Sequence, residues 1–165
     1  MARVVLLVGG NKGDVKRTLQ QVQRLVNERV GAVLRCSHRY ESEPWGFHAE
    51  GLFSNQALEV STDLTPHEVL ALTQEMEREL GRNHAAEALE RAIGGNRYAS
   101  REVDIDIIFY DDEVIADERL VVPHPRLPER EFALVPLCEI MGTRLHPELG
   151  RSLNDLLNDL RNKQQ

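Results

Sequence analysis

Cysteine is scarce in this chain of 165 residues, and aromatic residues make up only 5% of it. Its two cysteines, Cys36 and Cys138, lie far apart and match neither a CxxC motif nor the framework of a disulfide-rich secreted domain. The histidines show no zinc-ligand spacing. We therefore predict two buried, reduced thiols in a reducing compartment and a hydrophobic core that needs no covalent or metal cross-link.

Long hydrophobic runs are also missing. The apolar stretch at 4–8 is too short to span a bilayer, and it lacks the length and cleavage site of a secretory signal. We expect a buried strand there and a cytoplasmic location for the protein.

Basic residues are not in excess, since the formal net charge is −7. This charge argues against a general nucleic-acid or membrane-surface binder, which normally carries a basic surplus. Arginine is nevertheless concentrated locally, which suits a phosphorylated small molecule. The two groups are Arg82, Arg91, Arg97 and Arg101, and then Arg119, Arg126 and Arg130.

No repeat, low-complexity tract or linker divides the chain, so one domain is expected over 1–165. Apolar spacing predicts the order strand, helix, strand, strand, helix, strand. These elements are placed at 3–9, 14–28, 32–40, 52–61, 65–80 and 101–110. The order is that of a ferredoxin-like βαββαβ sandwich, an α+β fold with an antiparallel sheet and helices on one face. A C-terminal extension is predicted to add a hairpin, a short helix near 130–140 and a last helix from Ser152.

Asp104-Ile105-Asp106 lies in the last predicted strand of the sandwich. Residues two apart in a strand point to the same face, so both carboxylates project together. Mg²⁺ favours such a minimal set of protein oxygens, with water and nucleotide phosphates completing its coordination. An isolated D-x-D is also what the solvated face of an antiparallel strand shows, so the motif alone is weak.

The residues around this motif strengthen the magnesium interpretation. Arg101 is suited to neutralising the charge of a transferring phosphoryl group, and Glu77 is a further acidic group on the preceding helix. His124 lies between two prolines, which stiffen the backbone and fix the direction of its ring. A surface ion pair for Glu77 and a simple packing role for His124 are the alternatives.

A set of landmarks in chain order resembles the 6-hydroxymethyl-7,8-dihydropterin pyrophosphokinase family of the folate pathway. The resemblance covers about residues 4–147, and the R-x-x-D-x-D strand followed by V-P-H-P and R-x-F is specific as a set. The landmarks are 9–14 (GGNKGD), 43–46 (EPWG), 53–55 (FSN), Glu77 with Gly81-Arg82, 101–106 (REVDID), 122–125 (VPHP) and 130–132 (REF).

This resemblance implies a ferredoxin-like enzyme that transfers diphosphate from ATP to the pterin hydroxyl and releases AMP. By the same resemblance, Asp104 and Asp106 would hold two Mg²⁺ ions, with Arg82 and Arg101 as further catalytic residues. The implied ATP contacts are Gln74, Glu77, Tyr98, Arg101, Ile107, Arg119, His124 and Arg130. A monomer is expected, with neither nucleic acid nor membrane as a partner.

The resemblance also implies a pterin site. Phe53 and Phe132 would sandwich the flat ring, and the Asn55 amide would bond to its edge. Backbone groups of Ser42, Glu43 and Trp45 would complete recognition. Two aromatic faces and one amide suit a planar bicycle that is rich in hydrogen-bonding groups.

The chain departs from the family pattern between Arg82 and Arg97, where its loop is longer. We predict that residues 83–100 form a lid over ATP, because a glycine-rich, charged segment lies between rigid elements. Two other functions fit parts of the sequence: a ferredoxin-like module that only binds a small ligand, and a metal-dependent phosphohydrolase.

Overall fold

The structure is a computed structural model that describes residues 1–10, 15–42, 53–80 and 103–164. The predicted lid and the site residues Glu43, Trp45, Arg82, Tyr98 and Arg101 lie outside these ranges.

The described chain alternates strands and helices in the predicted order. The first part contains β1 (Ala2–Gly10), α1 (Val15–Arg29), β2 (Ala32–Cys36), β3 (Tyr40–Ser42), β4 (Phe53–Thr62), α2 (Pro66–Leu80) and β5 (Asp104–Tyr110). The C-terminal extension contains β6 (Ile115–Ala116), β7 (Val121–Val122), a 3₁₀ turn (Leu127–Glu129), α3 (Glu131–Met141) and α4 (Leu153–Lys163).

The main sheet has the strand order β2-β4-β1-β5, and every pair in it is antiparallel. With β3 continuing the β2 edge along β4, this is the predicted ferredoxin-like arrangement. A capping box starts α2: Thr65 Oγ1 accepts from the Glu68 N–H at 3.2 Å, and Glu68 Oε1 accepts from the Thr65 N–H at 3.0 Å.

Helices cover both faces of the sheet, so the prediction of a single covered face was wrong. On the first face, Val4, Leu6 and Val8 pack in one core with α1 and α2. On the second face, Val5 and Leu7 pack in another core with α3 and α4. The uninterrupted apolar run at 4–8 was the signal for this, because a strand buried on both faces has no polar alternation.

A β-bulge in β5 places Phe109 in the second-face core. The register between β1 and β5 shifts after the Val5–Phe109 pair, and the next pair is Leu6 with Ile107. Ile108 is the extra residue, so both Ile108 and Phe109 join the core under α3 and α4. Strict alternation from Asp104 would have placed Phe109 on the opposite face.

The predicted strand at 32–40 is divided in two by the segment 37–39. The hydroxyl of the buried Ser37 accepts from the Ala57 N–H at 2.9 Å, while the Ser37 N–H donates to the Ala57 carbonyl at 2.9 Å. One residue of β4 is thus bound twice by Ser37, which interrupts the ladder until Tyr40. β3 then extends to Ser42, two residues beyond the predicted end of the strand at residue 40.

The predicted burial of both cysteines was wrong for Cys36, which is exposed, while Cys138 is half-buried. Cys36 ends β2, the edge strand, and one side of an edge strand has no neighbour to cover it. Separately, none of the helices in the described ranges has the length and apolarity needed to cross a bilayer.

His146 is a buried polar residue at the base of the second-face core, with 4% exposure. Its Nδ1 accepts from the N–H groups of Glu148 and Leu149, both at 3.2 Å, and its ring meets Phe109 edge-on at 5.9 Å between centroids. Burial lowers the pKa of His146, which nearby Glu148 opposes and Arg144 reinforces. The folded protein therefore favours the neutral imidazole.

Replacing His146→Asn tests this preference, because an amide keeps an acceptor and does not titrate. A histidine in the unfolded chain titrates at about pH 6.5. Acid therefore protonates the unfolded chain before the folded one, and the free energy of unfolding of the wild type decreases as the pH drops below that value. We expect the variant to be less stable than wild type by roughly 1 kcal/mol at neutral pH. This difference in the free energy of unfolding between wild type and variant should become smaller as the pH falls from about 7 to about 5.

Urea unfolding at several pH values measures the difference, and the other titrating groups cancel in the comparison. A stability difference that stays constant with pH would contradict the preference of folded His146 for the neutral imidazole.

Candidate active site

The candidate site lies at the polar end of the second face, defined by Phe53, Asn55, Asp104 and Asp106. Along β5, Asp104 and Asp106 are half-buried and alternate with the buried Ile105 and Ile107. The two carboxylates therefore share the second face, as the D-x-D pattern predicts.

The register of the sheet places the aspartates next to the predicted pterin residues. Gly9 of β1 pairs with Asp104 on one side and with Asn55 on the other. Because neighbouring strands are about 4.8 Å apart, the backbones of Asp104 and Asn55 are roughly 10 Å apart across one row. One sheet row thus connects the predicted metal ligand to the predicted pterin amide.

Gly9 is a residue of this row to which the sequence analysis gave no role of its own, although it ends the predicted strand at 3–9 and begins the landmark at 9–14. It lies inside β1. A Cβ there would approach Asn55 Oδ1 to 2.5 Å and the Ser54 carbonyl to 3.2 Å, so the bare backbone makes room for the Asn55 amide. A glycine within a strand pattern often marks such a close approach, and this was the available signal.

The β3–β4 pair forms the next part of the site. Ser42 pairs with Phe53, and Tyr40 pairs with Asn55. Phe53 is half-buried, whereas Asn55 is only 7% exposed. Three residues predicted to contact the pterin therefore lie on adjacent strands: Phe53 and Asn55 on β4, and Ser42 on β3.

The N-terminal end of α3 contributes Arg130 and Phe132. The Arg130 guanidinium carbon lies 5.5 Å from the centroid of the Phe132 ring, which is the geometry of a cation–π contact. Phe132 packs against the second-face core and remains half-buried. The extension thus adds a cation and an aromatic ring to the side of the sheet that carries the aspartates.

His124 connects the extension to the aspartate strand. Its N–H donates to the Ile108 carbonyl at 3.1 Å, and its Nδ1 accepts from the Arg126 N–H at 3.3 Å. This bond assigns the proton of the neutral ring to Nε2, which makes Nε2 a donor. Burial lowers the pKa of His124; Asp106 opposes this shift, whereas Arg130 and Arg126 add to it.

Glu77 reaches the aspartate strand from α2. It is 8% exposed, and its Oε2 accepts from the Ile105 N–H at 2.9 Å. This bond holds the backbone between Asp104 and Asp106 against the helix. The structure thus gives Glu77 an anchoring contact that its helix position alone did not predict.

Three other predicted ATP contacts, Gln74, Arg119 and Ile107, fall within the described ranges. Gln74 and Arg119 are exposed, the former on α2 and the latter between β6 and β7. The Ile107 side chain is buried in the first-face core, on the side of the sheet opposite the two aspartates.

The donor set fits a hard divalent cation. Asp104 and Asp106 present carboxylate oxygens from alternate positions of one strand. Throughout the described ranges, no group of three or more histidine, cysteine, aspartate or glutamate residues is placed to hold a metal. A cation at the two aspartates would therefore need phosphate and water oxygens, which is the usual coordination of Mg²⁺.

Gly9→Ala tests the close approach at the centre of the row. The added methyl group overlaps the Asn55 amide, so we expect a loss of about 1–3 kcal/mol in the free energy of unfolding. Asn55→Ala in the same chain removes the overlapping atoms. The double variant should therefore lose less free energy of unfolding than the sum of the losses in the two single variants. Urea unfolding of the four proteins gives the coupling energy, and strict additivity would contradict the contact.

The chain resembles known proteins along most of its length. Residues 5–142 match the model of the 7,8-dihydro-6-hydroxymethylpterin-pyrophosphokinase family. The 2-amino-4-hydroxy-6-hydroxymethyldihydropteridine pyrophosphokinase of Bacillus subtilis is 38% identical over 136 residues, which are 82% of this chain and 75% of the relative. The enzyme of the same name from Aquifex aeolicus is 38% identical over 156 residues, covering 94% of this chain and 90% of the relative.

Solved structures agree on the fold. The HPPK-DHPS of Plasmodium falciparum superposes with a TM-score of 0.75 at 16% identity, and the match covers 100% of this chain and 45% of that longer one. At this identity the likeness supports the fold alone, and the sequence relatives decide the family. The chain therefore belongs to the 7,8-dihydro-6-hydroxymethylpterin-pyrophosphokinase family.

Proposed function

We propose that the chain carries out the diphosphate transfer of its family at the polar end of the second face. ATP donates the diphosphate, 6-hydroxymethyl-7,8-dihydropterin accepts it, and AMP and the pterin diphosphate leave. The observation that carries this assignment is the sheet row in which Gly9 separates Asp104 from Asn55. It supports a metal–phosphate end and a pterin end about 10 Å apart on one rigid scaffold.

At the pterin end, Phe53 and Phe132 are assigned to the two faces of the bicycle. Phe53 belongs to β4 and Phe132 to α3, so the two rings come from different layers of the fold. The Asn55 amide, held over Gly9, offers a donor and an acceptor to the ring edge. Backbone groups of Ser42, Glu43 and Trp45 are assigned to the rest of the recognition.

At the phosphate end, Asp104 and Asp106 are assigned to two Mg²⁺ ions. Bound Mg²⁺ would neutralise the phosphate charge and orient the reacting oxygens. His124 would donate from Nε2 to a phosphate oxygen, and Arg130 would add a positive charge beside it. Glu77 would keep the aspartate strand in place through its bond to Ile105.

The pterin hydroxyl would attack the β-phosphorus of ATP in line, so no covalent enzyme intermediate is needed. Positioning and charge neutralisation supply the rate enhancement in such a transfer. Arg82 and Arg101 are assigned to the transferring group. The other nucleotide contacts are assigned to Gln74, Tyr98, Ile107 and Arg119.

The same proposal includes a single domain over 1–165 that acts as a monomer in the cytoplasm.

Incubation with ATP, Mg²⁺ and the reduced hydroxymethyl-pterin tests the function. We expect one AMP for each pterin diphosphate. Asp104→Asn and Asp106→Asn should each reduce kcat at least about 100-fold, because each removes a carboxylate that would hold the Mg²⁺ whose charge stabilises the transferring group.

Asp112→Asn is the matched control, since Asp112 follows the same strand and its side chain is 90% exposed. Its kcat should equal that of wild type. Release of inorganic phosphate without pterin would identify a phosphohydrolase, and pterin binding without AMP would identify a binding module.

A further inference from the structure

Glu139 of α3 holds the start of β3 with a cluster of hydrogen bonds. Its Oε1 accepts from the Tyr40 hydroxyl at 2.5 Å and lies 3.0 Å from His38 Nδ1. Both carboxylate oxygens also lie 3.1 Å from the His38 N–H, which donates to them. One side chain of the helix thus binds both the backbone and a side chain of the segment before β3.

The cluster joins the two elements that are assigned to the walls of the pterin site. Glu139 follows Phe132 by two helical turns in α3, so both side chains lie on one side of that helix. On the other element, β3 runs from Tyr40 to Ser42, and Ser42 pairs with Phe53. The Glu139 carboxylate therefore connects the helix of one aromatic ring to the strand beside the other ring.

β3 needs such a connection because its own ladder is short. It has three residues and pairs with β4 in the described sheet. Ser37 fixes the preceding segment to β4, through Ala57 and through its carbonyl, which accepts from Gln56 Nε2 at 2.8 Å. These bonds fix the segment along the sheet, whereas Glu139 fixes it against the helix.

Global stability does not explain the cluster. His38 is 89% exposed, and exposed ion pairs add little to the free energy of folding. Arg35 of β2 donates independently to the Ile140 carbonyl, so the end of α3 remains attached to the sheet without Glu139. Loss of the carboxylate would therefore change where β3 lies relative to α3, with little effect on whether the protein folds.

We propose that Glu139 is a positioning residue that sets the width of the pterin slot. It holds β3, and with it Ser42 and Phe53, at a fixed distance from Phe132. The proposal rests on the proposed function, because the slot is defined by the assigned pterin contacts. A chain that samples the correct width less often binds the pterin more weakly, because the apparent Kd is the intrinsic Kd divided by the fraction of molecules with that width.

Glu139→Gln tests the proposal, because it keeps the size of the side chain and removes its charge. We expect the KM for the pterin to rise about 10-fold. The KM for ATP should stay unchanged, and the melting temperature should stay within about 3 °C of wild type. Hydrogen exchange should accelerate at residues 37–42, a readout that does not depend on catalysis.

Tyr40→Phe removes one hydroxyl donor and keeps the ring, so it should raise the pterin KM by about 3-fold. If Glu139→Gln fails to fold, the pterin KM of Tyr40→Phe tests the proposal instead. Glu79→Gln is the matched control, because Glu79 pairs with Arg29 on the first-face side at 3.0 Å. Its kinetic constants should equal those of wild type.

The outcomes separate the two proposals. Wild-type protein that forms no AMP overturns the proposed function. Active wild type with an unchanged pterin KM in Glu139→Gln and Tyr40→Phe overturns only the positioning role. Parallel increases in both KM values, with a large loss of melting temperature, would also overturn it, because they indicate a general structural role.

Discussion

The pairing of β1 with β4 and β5 is the constraint on which the rest of the structure depends. β1 is buried on both faces, so its register against its two neighbours has little freedom to slip. A shift by one residue would turn Asp104 and Asn55 to the face of α1 and α2. Hydrophobic packing on two sides therefore fixes the relative position of polar groups that contribute nothing to that packing.

Much of this fold was predictable because its signals are local. The helical spacing of α1, the capping box of α2 and the apolar run of β1 each predict their element without knowledge of the others. The covering of the second face is harder to predict, because α3 and α4 can be assigned to a face only when the partner of Val5 and Leu7 is known. The break between β2 and β3 was not predictable either. It depends on the bond between the Ser37 hydroxyl and the Ala57 N–H, and Ala57 lies on β4, twenty residues further along the chain.

The residues of the candidate site were predictable only where a motif marks them. The family resemblance selected Asp104, Asn55 and Phe132 from their motifs, and the sheet places the first two in one row. The role of Gly9 was missed because it depends on the Asn55 side chain across the sheet, which the local sequence does not show. Glu139 carries no motif: it acts through contacts with residues about one hundred positions earlier, which no local pattern can show.

The distribution of the site over two kinds of element has an evolutionary consequence. The assigned metal ligands Asp104 and Asp106 belong to β5, whose register is fixed by its pairing with the central strand β1. The walls assigned to the pterin belong to a short edge strand and to a helix of the extension, which are joined through side chains. A substitution among the joining side chains can therefore change the spacing of the assigned walls while the sheet register keeps the aspartates in place.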